Sequence, residues 1–263
     1  MEQFSITTGT KAISDALLGK ITAEIGDEVA ALVEDNSVVL VSDNKEIIID
    51  TISDIIVEQY ENKLISKLIN QNYFYLNLPD RRQILKKSLE IADGKDEHNL
   101  LVKTRLAEYL GTTDRLMLDG FVNFRLKEYQ SELADVIDRA VDDFMIEKEY
   151  TEFVRLLKYF VEIQPPKYPV VNIVPHDGEY RLYEGGGDDI TALCAKEFMR
   201  EDNGENITSD DILISSLISI APLNVRIHLI DKINNEEMLS TVNRVFENKV
   251  TVCEGCELCS PLR

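Results

Sequence analysis

The sequence predicts an α+β fold with a helical centre, and three features carry this prediction. Apolar residues recur every three or four positions over a long middle stretch, which indicates helices that bury one face. Short runs rich in Val and Ile, separated by turn residues, flank this stretch and indicate strands. At 263 residues the chain is long enough to bury a large hydrophobic core without disulfides.

Residues 1–45 are predicted to form a small N-terminal α/β part. Residues 4–7 suit a strand, and residues 12–25 place isoleucine and leucine four positions apart, which suits a helix. The apolar runs 29–33 and 38–41 flank four polar residues that tolerate a tight turn. This arrangement predicts a β-hairpin.

Residues 46–166 are predicted to form a helical domain. Large apolar residues recur every four positions over 48–68, and the apolar spacing over 115–148 is typical of a helical bundle. A separate last helix is predicted before Pro165-Pro166, which ends it. Its packing side is expected to carry Phe153, Leu156, Leu157 and Phe160.

Residues 167–263 are predicted to form a C-terminal α/β module. Residues 170–183 have the pattern of a second β-hairpin. Strand patterns at 225–230 and 250–252 enclose a helical pattern at 235–246. A strand, a helix and a strand in this order predict a right-handed parallel βαβ unit.

The charge of the chain argues against two classes of partner. Its net charge is −20, and it has no run of Lys and Arg that would neutralise phosphates, so we expect no nucleic-acid binding. The same charge is repelled by an anionic membrane surface, and no run of about 20 apolar residues is present to span a bilayer. The first residues lack the pattern of a signal peptide, so a cytoplasmic location is expected.

Three of the four cysteines follow the last predicted strand, at positions 253, 256 and 259. Thiolates at intervals of three can converge on one point, and both tetrahedral zinc and iron–sulfur sites use such spacing. Cys253, Cys256 and Cys259 are therefore candidate metal ligands. A fourth ligand has two candidates: His228, near the end of the neighbouring strand if the two are parallel, and Cys194.

Other interpretations of the same residues stay open. A bacterial ferredoxin pattern would need a cysteine at position 263, where this chain has Arg263. Closely spaced cysteines also lower thiol pKa values and exchange disulfides, so a redox site is an alternative, as is a tail of unligated thiols. Alone, His228 would be a hydrogen-bonded core residue and Cys194 a small buried apolar one.

A cationic and aromatic surface is a further candidate for contacts. Cations and aromatic residues stand near one another in the last two predicted helices of the helical domain. The cations are Arg115, Arg125, Arg155 and Lys158, and the residues near them are Phe121, Asn123, Phe124, Tyr129, Tyr150 and Tyr159. In an acidic protein such a surface can dock an anionic partner. The alternative, which the many local carboxylates favour, is that the aromatic rings pack and the charges pair locally.

Two segments in the middle of the chain resemble a known family. They are GFVNFRLKEY at 120–129 and EYTEFVRLLKYFVEIQ at 149–164. With the hairpin after Pro165-Pro166 and the terminal cysteine run, they resemble the sporulation protein family YtxC of endospore-forming Firmicutes, over roughly residues 45–263. The resemblance implies a cytosolic protein linked to sporulation, and it brings no known activity and no catalytic residues.

Together these observations predict a cytoplasmic, sporulation-associated protein that acts through contacts with a protein partner. A C-terminal site would hold zinc or an iron–sulfur cluster on the cysteines, with His228 or Cys194. The alternative is a thiol redox or electron-transfer enzyme that uses the cysteine tail, and a third option is a scaffold without a site. No hydrolase, dinucleotide, metalloprotease or kinase motif is present, so the balance leans against an enzyme. The oligomeric state stays open.

Overall fold

The computed structural model describes residues 2–22, 29–34, 37–92, 96–198 and 208–259. Its helices and its two mixed four-stranded sheets confirm the predicted α+β class. Contacts between Cα atoms group the chain into two compact units, Met1–Ile146 and Glu147–Arg263. The finer division of the chain at residues 45 and 166 stays a prediction. Among the described residues, no helix combines the length and the apolar character that crossing a membrane requires.

The first unit contains a mixed sheet with the strand order β2-β3-β1-β4. Its strands are β1 (Glu2–Thr7), β2 (Ala30–Glu34), β3 (Ser37–Ser42) and β4 (Arg115–Met117). β2 and β3 pair antiparallel, which confirms the first predicted hairpin, and β1 pairs antiparallel with β3 and parallel with β4. β4 was not expected, because its three residues lie where the sequence predicts a helix.

Helices cover this sheet and form the rest of the first unit. Asn44 caps the start of the long second helix, where its side chain accepts a hydrogen bond from the Glu46 N–H. The helix predicted over 12–25 begins as expected, with α1. Its predicted end, at residue 25, lies outside the described residues. The helices are α1 (Lys11–Lys20), α2 (Lys45–Asn72), α3 (Leu78–Ala92), α4 (Asp96–Leu110) and α5 (Leu118–Phe124), followed by α6 (Lys127–Ile163), whose later residues belong to the second unit.

The helix predicted over 115–148 is wrong at both ends and is also interrupted at Arg125-Leu126, between α5 and α6. Its first residues form β4, because Leu116 is buried in register with Ile6 of β1. Its C-terminal part does not stop at residue 148, because no Gly or Pro interrupts the following residues and α6 runs on to Ile163. Thus the predicted separate last helix is the end of α6.

The second unit contains a sheet with the strand order β6-β5-β7-β8. Its strands are β5 (Val170–His176), β6 (Glu179–Glu184), β7 (Asn224–Ile227) and β8 (Val250–Val252), and its helices after α6 are α7 (Thr191–Phe198), α8 (Ser209–Ile220) and α9 (Glu236–Phe246). β5 and β6 form the predicted second hairpin, and β7 pairs parallel with both β5 and β8. β7, α9 and β8 therefore confirm the predicted parallel βαβ unit.

Candidate metal centre

His228 lies at the carboxyl end of β7. Its backbone N–H donates to the Ile173 carbonyl oxygen at 2.9 Å, which keeps the residue in line with the sheet. Leu229 follows with φ of 47°, in the left-handed region, so the chain turns away directly after the histidine. The imidazole is thereby fixed at the end of the strand, where only 1% of the residue is exposed.

The cysteine loop leaves the sheet beside this histidine. The Cys253 N–H donates to the Ile227 carbonyl oxygen at 2.8 Å, which extends the pairing of β8 with β7 by one residue. Gly255 has φ of 148°, a backbone conformation that residues other than glycine rarely adopt. The Cys259 N–H then donates to the Cys256 carbonyl oxygen at 3.0 Å and closes a turn. This loop brings all three cysteines back towards the end of β7.

Four potential ligand atoms converge at this point. The Nδ1 atom of His228 lies 3.3 Å from the Cys259 Sγ and 3.5 Å from the Cys256 Sγ. The Cys259 Sγ lies 3.9 Å from the Cys253 Sγ and 3.8 Å from the Cys256 Sγ. All four atoms lie within 4.8 Å of one another. The separations between sulfurs are far longer than a disulfide bond of about 2.05 Å.

Four of the six separations match the edges of a tetrahedron around one ion. Zinc binds cysteine sulfur at about 2.3 Å and histidine nitrogen at about 2.0–2.1 Å, which places two sulfurs about 3.8 Å apart and a sulfur and a nitrogen about 3.5 Å apart. The measured values are 3.8 and 3.9 Å for two sulfur pairs, and 3.3 and 3.5 Å for two sulfur–nitrogen pairs. The arrangement can therefore hold a single metal ion.

Asn172 of β5 fixes which nitrogen of the imidazole faces the sulfurs. Its amide nitrogen donates to the carbonyl oxygens of Tyr183 and Glu184, at 3.4 and 3.2 Å, which sets the orientation of the amide. Its Oδ1 lies 3.0 Å from the His228 Nε2. Because an amide oxygen can only accept, the Nε2 carries the hydrogen, and the Nδ1 lone pair points at the sulfurs. Such outer hydrogen bonds are typical of metal-bound histidines.

The surroundings shift the titration of three of these groups. Burial lowers the pKa of His228, helped by the positive charge of Arg226, so the imidazole is neutral at physiological pH. Burial raises the pKa of the Cys259 thiol. At Cys256 desolvation also acts upward, but the backbone N–H groups of Cys259 and Leu258 and the neighbouring thiols together leave the pKa of this thiol lowered. A neutral imidazole beside one acidified thiol is a donor set suited to a metal.

An open groove of about 590 Å³ lies against one side of the cluster. Asn172, Arg226, Cys256 and the glycine triplet 185–187 are among the residues that line it. Cys256 is exposed, whereas Cys259 keeps only 1% of its surface exposed. Reagents can therefore reach the cluster at Cys256 first.

The structure places Cys194 elsewhere. It lies on α7 in the hydrophobic core of the second unit, 3% exposed, and its N–H donates to the Ile190 carbonyl oxygen. The group of converging ligand atoms contains His228 and not Cys194. Sequence reasoning missed Asn172, although one signal was present: it is the single polar residue in the apolar run Val170–Val174, and it is buried.

Comparison with known proteins decides the family. The model of the YtxC-like family matches residues 46–251, which is more than half of the chain. The chain belongs to the YtxC-like family. The match confirms the family resemblance seen in the sequence. It includes Asn172 and His228 and ends before Cys253.

A curated relative supports this membership. The chain is similar to a protein of Bacillus subtilis (strain 168) named "Uncharacterized protein YtxC", with 25% identity over 205 residues, covering 72% of this chain and 70% of the relative. No solved structure matches the chain. The comparisons therefore show the family and indicate no chemistry for the cluster.

Proposed function

We propose that this YtxC-like chain is a sporulation-associated protein that works through contacts with a protein partner, and that one zinc ion stabilises its C-terminal unit. The zinc ligands are the Sγ atoms of Cys253, Cys256 and Cys259 and the Nδ1 of His228. The observation that carries the proposal is the convergence of these four atoms within 4.8 Å of one another.

The donor set favours zinc over an iron–sulfur cluster. Three thiolates and a neutral imidazole are ligands that zinc prefers in structural sites. In a [4Fe–4S] cluster each cysteine binds its own iron, and in a [2Fe–2S] cluster each iron takes two protein ligands, so a cysteine sulfur has at most one other sulfur at the spacing of ligands of one ion. The Cys259 Sγ lies within 3.9 Å of two other sulfurs, which suits one ion.

A structural role follows from the number of ligands. Four protein ligands complete a tetrahedral shell, whereas catalytic zinc sites keep one position for water or substrate. The ion would join the loop after β8 to the end of β7 and to Asn172 of β5 through the histidine. Since such a site does not form in an unfolded chain, the free energy of zinc binding would add to the stability of this unit.

The link to sporulation, the protein partner and the cytoplasmic location are carried over from the family resemblance and from the charge of the chain. A reducing cytoplasm keeps thiols available as metal ligands, which agrees with that location. Deleting the gene in an endospore-forming host is expected to lower the count of heat-resistant spores, and the native gene is expected to restore it. An unchanged count would contradict the link to sporulation and leave the zinc site untouched.

Metal analysis of the untagged full-length protein, purified without oxygen, tests the zinc site. We expect one equivalent of zinc per chain, and a large loss of zinc in Cys253→Ser and in His228→Ala. Cys194→Ser is the matched control, since it removes a buried thiol outside the cluster, and it is expected to keep its zinc. Less than a tenth of an equivalent of any metal in the native protein would contradict the proposal.

Alkylation separates this proposal from the redox alternative. Zinc is expected to protect all three clustered cysteines from a maleimide reagent until a strong chelator removes the ion. A redox enzyme would instead show rapid alkylation of the exposed Cys256 without a chelator. Rapid alkylation at Cys256 in protein that still holds one zinc per chain would contradict a closed structural site.

A further inference from the structure

The part of α6 that belongs to the second unit exposes a stripe of large apolar side chains on its outer face. Each member keeps between 47% and 58% of its surface exposed. We call this set the outer stripe, and its members are Phe153, Leu156, Tyr159, Phe160 and Ile163. The sequence pattern predicted three of them, Phe153, Leu156 and Phe160, on a packing side, so their exposure calls for an explanation.

The opposite face of the same segment is firmly packed within the second unit. Val154 and Val161 lie in its hydrophobic core. The Tyr150 hydroxyl hydrogen-bonds with the Thr241 hydroxyl of α9 at 2.8 Å, and Lys158 pairs with Glu247 at 2.6 Å. These contacts fix the rotation of the helix about its axis. The helix therefore cannot turn to bury the outer stripe without breaking them.

The spacing within the outer stripe is that of a two-helix seam. Phe153, Leu156, Phe160 and Ile163 follow steps of three, four and three residues, which is the a/d pattern of a coiled coil. With about half of each of five side chains exposed, and 150–250 Å² for a whole aromatic side chain, the stripe offers roughly 500 Å² per copy. Two copies would bury roughly 1,000 Å², which is the lower limit for a specific interface.

The outer stripe suits a second copy in antiparallel orientation. In that orientation Phe153 faces Ile163 and Leu156 faces Phe160, so each layer pairs a ring with an aliphatic side chain. The exposed Tyr159, on the flank of the seam, then lies beside Tyr159 of the second copy. A parallel orientation would instead set each residue against its own copy, ring on ring and aliphatic on aliphatic. Residues 147–163 hold four acids and three bases, a net charge of −1 in a chain of −20, so repulsion between copies is weakest here.

We propose that the outer stripe is the interface of a two-fold symmetric dimer of this chain, in which the two α6 segments pair antiparallel. The proposal goes beyond the zinc site and does not depend on it.

Sedimentation equilibrium of the full-length, metal-loaded protein tests the proposal. We expect a mass of twice 29.9 kDa at micromolar concentration for the native chain. The double variant Leu156→Glu/Phe160→Glu is expected to sediment as a monomer. Leu193→Glu is the matched control, because it charges another exposed leucine of the same unit, and it is expected to remain a dimer. Circular dichroism and zinc content on the same samples check that each variant folds.

Charge exchange within one layer of the seam tests the orientation. Phe153→Glu alone and Ile163→Lys alone are each expected to weaken the dimer more than about tenfold, and the double exchange is expected to be tighter than either, because position 153 faces position 163 of the second copy only in the antiparallel pair. A native chain that stays monomeric at hundred-micromolar concentration would overturn the proposal. So would a dimer that survives Leu156→Glu/Phe160→Glu, and a double exchange that is no tighter than either single variant would overturn the antiparallel orientation.

Discussion

Replacing Asn172 with Leu is expected to weaken zinc binding although Asn172 touches no metal. Asn172 accepts a hydrogen bond from the His228 Nε2 at 3.0 Å and so holds the ring with its Nδ1 lone pair towards the sulfurs. Leu has a similar size and no acceptor. In the metal-loaded protein the buried Nε2–H would be left without a partner, because zinc on Nδ1 forces the hydrogen onto Nε2.

The magnitude follows from the difference between the two states of the protein. Without metal, the ring of the variant can move its hydrogen to Nδ1 and donate towards the Cys259 Sγ, which lies 3.3 Å away, so part of the cost is relieved. With metal, this relief is lost. Removing an outer partner of a metal-bound histidine lowers metal affinity about ten- to hundredfold, which corresponds to about 1.4–2.8 kcal/mol.

Competition with a chromophoric zinc chelator measures this affinity directly. The control is Asn224→Leu, which removes an exposed amide from the start of the neighbouring strand, and its zinc affinity is expected to stay within twofold of the native value. Urea unfolding of both variants after removal of zinc separates loss of fold from loss of affinity. An Asn172→Leu variant with native zinc affinity would refute the assignment of Nδ1 as the ligand atom.

Three further predictions concern other parts of the chain. Cys194→Ala is expected to lower the free energy of unfolding by about 1 kcal/mol, because Cys194 packs as a small apolar residue, and to leave zinc content unchanged. In the first unit Tyr129→Phe is expected to cost about 1.5–3 kcal/mol in urea unfolding, since the buried Tyr129 hydroxyl donates to the Glu61 carboxylate at 2.7 Å. At the start of α8, the side chain and N–H of Thr208 hydrogen-bond to Asp211 and lower the pKa of its carboxyl below the usual value. This stabilisation is therefore present above about pH 4 and is lost as the pH falls through the folded pKa, and Asp211→Asn removes this pH dependence.

Each of these predictions has an outcome that contradicts it. Loss of zinc from Cys194→Ala would indicate that Cys194 is a zinc ligand. An unchanged free energy of unfolding in Tyr129→Phe would mean that the hydrogen bond from the Tyr129 hydroxyl to Glu61 does not stabilise the fold. For Asp211, a carboxyl that titrates in a nuclear magnetic resonance experiment at or above the value of an unfolded peptide would contradict the capping hydrogen bonds.

The convergence of His228 with the three cysteines could be predicted from the sequence because it depends on local patterns. The strand–helix–strand order from β7 to β8 predicts a parallel pair, and the carboxyl ends of parallel strands meet at one edge of a sheet. That rule alone places His228 near Cys253. The intervals of three then predict convergence of the sulfurs. The apolar run around Asn172 marks it as an unusual polar residue, but its contact with His228 could not be predicted, because that contact depends on β5 lying directly beside β7 and no local pattern indicates this pairing.

The errors in the helical region have a common physical cause. A period of three to four residues shows that a helix has an apolar face, but it does not show what covers that face. Val154 and Val161 and the outer stripe lie on opposite faces of α6, and only the former pack within the second unit. Similarly, the three residues of β4 are too few to carry a strand period, and their pairing with β1 joins positions more than a hundred residues apart.

X-ray absorption spectroscopy at the zinc edge, on the metal-loaded full-length protein, tests the central claim most directly. The claim predicts three sulfur ligands at about 2.3 Å and one nitrogen ligand at about 2.0–2.1 Å around a single zinc. Loss of the nitrogen contribution in His228→Ala would complete the assignment. A shell made only of oxygen and nitrogen, or a metal–metal distance that reveals a cluster, would contradict it.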